Sequence, residues 1–282
     1  ALLYTLDNPN AFNTSGGDRF GWSVAVSGNR AIVAADSEDD AGGNSSGKAY
    51  IFDVTDGSLL HTLDNPNAYD TSAADIFGFK LAVSGNYAIV GAWGEDDAGG
   101  TDSGKAYIFN VTTGALVHTL DNPNAYDTSA DDAFGYSVAI SSNYAIVGAR
   151  SEDDAGGTNS GKAYIFDVTT GALLYTLDNP NAYSASLGDT FGQFVAISDN
   201  YAIVTAYAED DAGGSSSGKA YIFDVTTGAL VHILDNPNPY GTSASDQFGR
   251  SLAISGNYAI VGAYVEDDAG GTSSGKAYIF NV

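Results

Sequence analysis

The chain has 282 residues, 35 Asp and Glu against 10 Lys and Arg, a formal charge of −25 and no cysteine. That charge excludes the basic footprint nucleic-acid phosphates require and charge-driven binding to anionic membranes. The missing cysteine excludes disulfides, a thiol nucleophile and zinc–thiolate sites. Ample apolar content and no apolar run long enough for a spanning helix point to a folded acidic protein that does not insert into membranes.

The chain opens on Ala1–Asp7 (ALLYTLD), which returns as Ser58–Asp64, Ala115–Asp121, Ala172–Asp178 and Ala229–Asp235. A Phe-Gly pair follows at Phe20 and recurs at Phe77, Phe134, Phe191 and Phe248, each 57 residues after the last. A fixed period of this length means copies of one supersecondary unit, with repeats at 1–57, 58–114, 115–171, 172–228 and 229–282. The third copy is the clearest. Its strands are predicted at Phe134–Ser141, Asn143–Ala149, Gly161–Val168 and Ala172–Leu177, from β-branched and aromatic runs punctuated by Gly, Asn and Asp. The second strand is apolar almost throughout, as a strand buried on both faces must be. Tight turns join strands 1–2 and 3–4, whereas strands 2–3, and strand 4 to the next repeat, are joined by long acidic loops. In a meander those long loops share one end of each sheet, where binding usually resides.

The last repeat ends at Val282 before a fourth strand, and Ala1–Asp7 has the sequence of that strand. The expected fold is therefore all-β: a single five-bladed β-propeller with four antiparallel strands per blade, its ring closed by the N-terminal strand completing the last blade.

Phe-Gly, then Val-Gly-Ala (Val147–Ala149), an Asp- and Gly-rich loop and Ser-Gly-Lys-Ala-Tyr-Ile-Phe resemble the FG-GAP repeat family, the repeat of integrin α-chain propellers. The resemblance covers the whole chain in five copies. It implies an extracellular or surface-displayed propeller that works by adhesion or ligand binding, its partner a protein or glycan at a cell or particle surface. Two features depart from the family pattern. Its proline after Gly-Ala is replaced by other residues, and its calcium loop with alternate carboxylates is not reproduced.

Each loop carries three adjacent acids: Glu38, Asp39 and Asp40; Glu95, Asp96 and Asp97; Glu152, Asp153 and Asp154; Glu209, Asp210 and Asp211; Glu266, Asp267 and Asp268. Adjacent carboxylates repel, and a hard cation such as calcium would relieve them. The alternative is a turn in which Asp accepts backbone N–H groups, Gly-Gly supplies positive φ and the following Lys offsets charge. The acid before Phe-Gly (Asp18, Asp75, Asp132, Asp189, Asp246) reads as a turn cap. Five equivalent acids do not make a catalytic pair, which needs unlike environments. His61, His118 and His232 alternate with Tyr4 and Tyr175 at one slot and read as packing.

Two slots vary while their surroundings stay constant: Trp22, Phe79, Tyr136, Gln193 and Arg250 after Phe-Gly, and Asp36, Trp93, Arg150, Tyr207 and Tyr264 after the second strand. Aromatics beside Arg and Gln suit a sugar or peptide; drift or packing between repeats is the alternative. The expected function is a non-catalytic structural or adhesive module. A multivalent lectin-like module comes second, and a polysaccharide-acting enzyme, with Asp36 the one odd acid, third.

Overall fold

The computed structural model describes every residue except 11–15, 42, 68–71, 125–128, 155–156, 182–186, 213 and 239–242. The chain forms two compact units, the first ending at Ser142 and the second beginning at Asn143.

In the first unit, β1 (Val24–Ser27), β2 (Arg30–Ala35), β3 (Lys48–Asp53) and β4 (Leu59–Asp64) make one antiparallel sheet in chain order. A second sheet repeats it with β5 (Leu81–Ser84), β6 (Tyr87–Ala92), β7 (Lys105–Asn110) and β8 (Leu116–Asp121), and β9 (Phe134–Ile140) starts the third repeat. The second unit continues the third repeat with β10 (Tyr144–Ala149), β11 (Lys162–Asp167) and β12 (Leu173–Asp178). The fourth has β13 (Phe194–Ile197), β14 (Tyr201–Ala206), β15 (Lys219–Asp224) and β16 (Leu230–Asp235). The fifth has only β17 (Phe248–Ser255), β18 (Tyr258–Ala263) and β19 (Lys276–Asn281). The strands expected in the third repeat thus form within a residue or so of their expected ends.

In the first four repeats both faces of the central strands are covered, as continuous apolar runs require. Ile32, Ala34, Ala49 and Ile51 join Leu63 in a core shared with Phe77, Val90 and Phe109 of the next repeat. Their alternate neighbours Val33, Ala35, Tyr50 and Phe52 pack instead on Phe20 and Leu6. In the second unit Ile203, Ala220 and Ile222 meet Phe248 and Val261 in the same way. Phe20, Phe77, Phe191 and Phe248 each stand edge-on or tilted to two rings of their own third strand, as Phe77 does to Tyr107 at 5.9 Å and Phe109 at 6.0 Å. Such geometries suit the ring quadrupoles. A register shift after Ile51, repeated after Ile108, Ile165 and Ile222, puts a bulge between third and fourth strands.

Successive repeats are joined by main chain. Ala74, Ile76 and Phe77 N–H groups donate to Asn44, Ser45 and Ser46 carbonyls at 2.8, 3.1 and 3.0 Å. The approach is so close that a Cβ on Gly47, whose φ is +80°, would lie 2.1 Å from the Phe77 carbonyl oxygen. Gly104, Gly161 and Gly218 stand in the same relation to Phe134, Phe191 and Phe248.

The N-terminal segment departs from expectation. Residues 1–10 form no strand, and Leu2 and Leu3 are 82% and 79% exposed. Tyr4 lies on Gly57 and donates to the Thr55 carbonyl at 2.6 Å, the position His61 takes at Thr112 and Tyr175 at Thr226. Within its own unit the segment thus lays Tyr4 on the turn between β3 and β4; the fifth sheet has three strands.

Gly47→Ala combines a forbidden φ with a backbone collision, and we expect it to cost about 2–4 kcal/mol. Gly85→Ala, at φ +56° with nothing within 4 Å of the new Cβ, should cost about 1 kcal/mol. Thermal melts of the two variants check this; equal losses would show that the junction is not tight.

Candidate functional site

The acidic loops follow β2, β6, β10, β14 and β18. Glu38 is fully buried, and the Tyr50 hydroxyl lies 2.7 Å from both of its carboxyl oxygens. Glu95 with Tyr107, Glu152 with Tyr164 and Glu209 with Tyr221 repeat the arrangement. In the fifth repeat Tyr278 reaches only Glu266 Oε1, and Oε2 has no hydrogen-bond partner. Burial pushes Glu38 up to about 7 and Glu95 and Glu209 up to about 8, against the downward pull of the tyrosine bonds.

The second acid closes the loop: Asp39 Oδ1 accepts the Ser45 N–H at 2.9 Å, and Asp96, Asp153, Asp210 and Asp267 accept from Asp102, Asn159, Ser216 and Ser273. The third acid takes a glycine N–H in several copies, as Asp40 does from Gly43 and Asp97 from Gly99. Only the second glycine of the pair has positive φ among the described residues, so the expected Gly-Gly turn needs one of the two. Asp97 is also 3.3 Å from Lys105, whose ammonium bonds Asp121 at 2.6 Å. Lys48, Lys162 and Lys219 likewise bridge Asp40 and Asp64, Asp154 and Asp178, and Asp211 and Asp235. Lys276 instead bonds Glu266, at 2.7 Å.

A cleft of about 490 Å³ in the first repeat is lined by Glu38, Asp40, Lys48, Tyr50, Thr62 and Asp64, and its equivalent in the second repeat has about 450 Å³. Among the described residues no group of three His, Asp or Glu side chains converges to hold a metal. The three acids of one loop serve three different partners: a tyrosine hydroxyl, a backbone N–H of the same loop and the lysine of Ser-Gly-Lys.

The acid before Phe-Gly does more than cap a turn. Asp18 Oδ2 accepts from Asn8 at 2.8 Å and Asn10 at 2.6 Å, tying together the two ends of the long loop. Asp75, Asp132, Asp189 and Asp246 do the same with their own asparagines. His61 bonds the Thr112 carbonyl at 3.0 Å, as a packing residue.

The variable slots assemble into two groups. In the first unit Phe79 contacts Trp22 at 5.9 Å, Trp93 at 6.0 Å and Tyr136 at 4.9 Å between ring centroids. Arg19 lies over Trp22 at 4.6 Å and pairs with the buried Asp36 at 2.8 Å. Asp36 Oδ1 and Trp93 Nε1 are buried without hydrogen-bond partners. In the second unit Arg250 lies over Tyr264 at 4.8 Å and Tyr207 at 5.7 Å, and Phe194 stands edge-on to Tyr207. Gln193 is buried with Oε1 unpartnered, and Arg150, half-buried, follows β10. Sequence reasoning missed Arg19, Phe194 and Lys80, whose ammonium lies over the Phe79 ring at 5.6 Å, beside these slots, and the Glu–Tyr pairs. The signal for the pairs was a Tyr twelve residues after each loop Glu in all five copies.

Profile comparison matches the FG-GAP repeat at residues 11–52, 67–109, 124–166, 182–223 and 239–280. The chain belongs to the FG-GAP repeat family. It is also 26% identical over 244 residues to a porin of Rhodobacter capsulatus, covering 86% of this chain and 70% of that protein. Its five antiparallel sheets correspond to the five FG-GAP repeats. No helix of the described residues is long and apolar enough to cross a membrane.

Two outcomes follow from the FG-GAP loops. A carboxyl whose folded pKa exceeds its unfolded value stabilises the fold below the unfolded value, near 4.5, and loses that contribution as pH rises through the folded one. Melting temperature should therefore fall between pH 5 and 9, and Glu95→Gln should flatten that fall; an unchanged slope would place the titration elsewhere. Separately, millimolar calcium added to metal-stripped protein should leave the melting temperature unchanged, because only an ion bound to the folded state raises it. A rise of several degrees would overturn the turn reading of the acids.

Proposed function

We propose that this chain is a non-catalytic, extracellular structural or adhesive module: one five-bladed propeller closed by its own N-terminal segment. The observation that carries the non-catalytic part is that the recurrent acids are committed to the framework. The odd acid of the variable slots, Asp36, is buried and ion-paired with Arg19. Most glycoside hydrolases use two carboxylates in unlike environments facing one substrate; in the cleft of the first repeat Glu38 is engaged by Tyr50, and Asp40 and Asp64 by Lys48. Incubation with polysaccharides should release no new reducing ends.

Closure is supported by the groups the fifth repeat lacks. In repeats one to four the lysine of Ser-Gly-Lys bonds an Asp of the fourth strand; the matching partner of Lys276 is Asp7. The register of β3 on β4, carried forward, sets Tyr4 opposite Ile279 and Leu6 opposite Ala277. Ile279 is 73% exposed on the free edge of β19, an arrangement that invites another strand.

A pore-forming reading, raised by the porin's name, lacks support. The described strands are four to eight residues long and pair within separate sheets, whereas a membrane barrel needs strands of about 9–11 residues in one continuous sheet. The chain's lack of cysteine makes closure testable: Tyr4→Cys with Ile279→Cys should form a disulfide within a monomer. Crosslinked dimers, or no crosslink, would count against the ring.

A further inference from the structure

In a chain with 35 acids and 10 bases, most bases are taken by carboxylates. Arg19 and Arg30 pair with Asp36 and Asp53, and each Lys of Ser-Gly-Lys pairs with loop or strand acids. Arg250 does not. Its guanidinium lies over Tyr264 at 4.8 Å and Tyr207 at 5.7 Å, and its Nη1 donates to Gln247 Oε1 at 3.1 Å. Within the second unit no carboxylate of the described residues reaches it, and Arg250 and Tyr264 are both exposed there, Tyr264 at 51%. Two rings and an amide therefore orient a charged fork whose remaining donors face no acid of that unit.

A guanidinium held this way pre-pays the ordering cost of a bidentate bond to a carboxylate, and the tyrosine rings retain their cation attraction. We propose that Arg250, with Tyr207 and Tyr264, binds the carboxylate of an acidic saccharide. A saccharide is favoured over an acidic peptide by the rest of the group. The half-exposed Tyr264 offers a ring for the C–H face of a pyranose. Gln247, its oxygen engaged by Arg250, keeps its amide donors for hydroxyls. The chain's own negative field disfavours anions at long range, so a single oriented Arg selects a ligand by close contact rather than by attraction from a distance.

This inference rests on the binding-module reading above. The test is calorimetric titration of the whole protein with tetragalacturonate and with its fully methyl-esterified form. The expected result is binding of the acid form at least tenfold tighter than the ester. Arg250→Gln should lose that preference at an unchanged melting temperature, and Tyr264→Ala should weaken binding several-fold. No binding, equal binding of acid and ester, or undiminished binding by Arg250→Gln would overturn the proposal. So would preference for an acidic peptide, or concentration-dependent self-association that Arg250→Gln abolishes, which would assign the cation to a second copy of the chain. Cleavage of the saccharide would overturn the non-catalytic reading and leave the binding site standing, so the two failures are separable.

Discussion

The contact on which the rest depends is main chain against main chain at each junction between repeats. Gly47, Gly104, Gly161 and Gly218 lie against the Phe carbonyls of the following repeat with no room for a Cβ. Three backbone hydrogen bonds fix the loop there. This sets the depth at which the Phe ring enters its own sheet, and hence where the third-strand Tyr stands. The loop Glu must then be buried beneath that Tyr. The acidic loop is thus a joint first, and its charge is a consequence of what the joint encloses.

Within that frame the lysine acts as a clasp. Its stem lies along the cleft while its head bridges a loop Asp and a fourth-strand Asp, one of them exposed. Exposed pairs of this kind contribute little singly. Their value here is positional: they hold the fourth strand to the loop end of the sheet. Where that strand is missing, Lys276 turns to Glu266 and takes one oxygen that Tyr278 also uses. The fifth repeat shows the clasp with its strap undone.

Much of this was legible in the sequence. The period, the strand positions of the third copy and the two-faced burial of the second strand follow from alternation and turn residues, because these are local properties. What was not legible is long-range. Asp18 binding Asn8 and Asn10 looks like two unrelated turn motifs until the loop is closed. Glu38 under Tyr50 requires knowing which face of the third strand the loop folds over. The variable slots were visible as exceptions to a repeat, but only the structure shows that Trp22, Phe79, Trp93 and Tyr136 form one ring cluster within the first unit and that Arg250 lies over Tyr207 and Tyr264 within the second. The N-terminal segment was read by its likeness to β4, and residues 1–10 form no strand.

The buried glutamates carry a consequence for energetics measured by heat. With Glu38, Glu95 and Glu209 held at about 7 to 8, the native chain near neutrality retains protons that the unfolded chain gives up. Folding is therefore a proton-uptake reaction, supplied by the buffer. Its calorimetric enthalpy must differ between phosphate and Tris by the difference in their heats of ionisation, once for every proton bound.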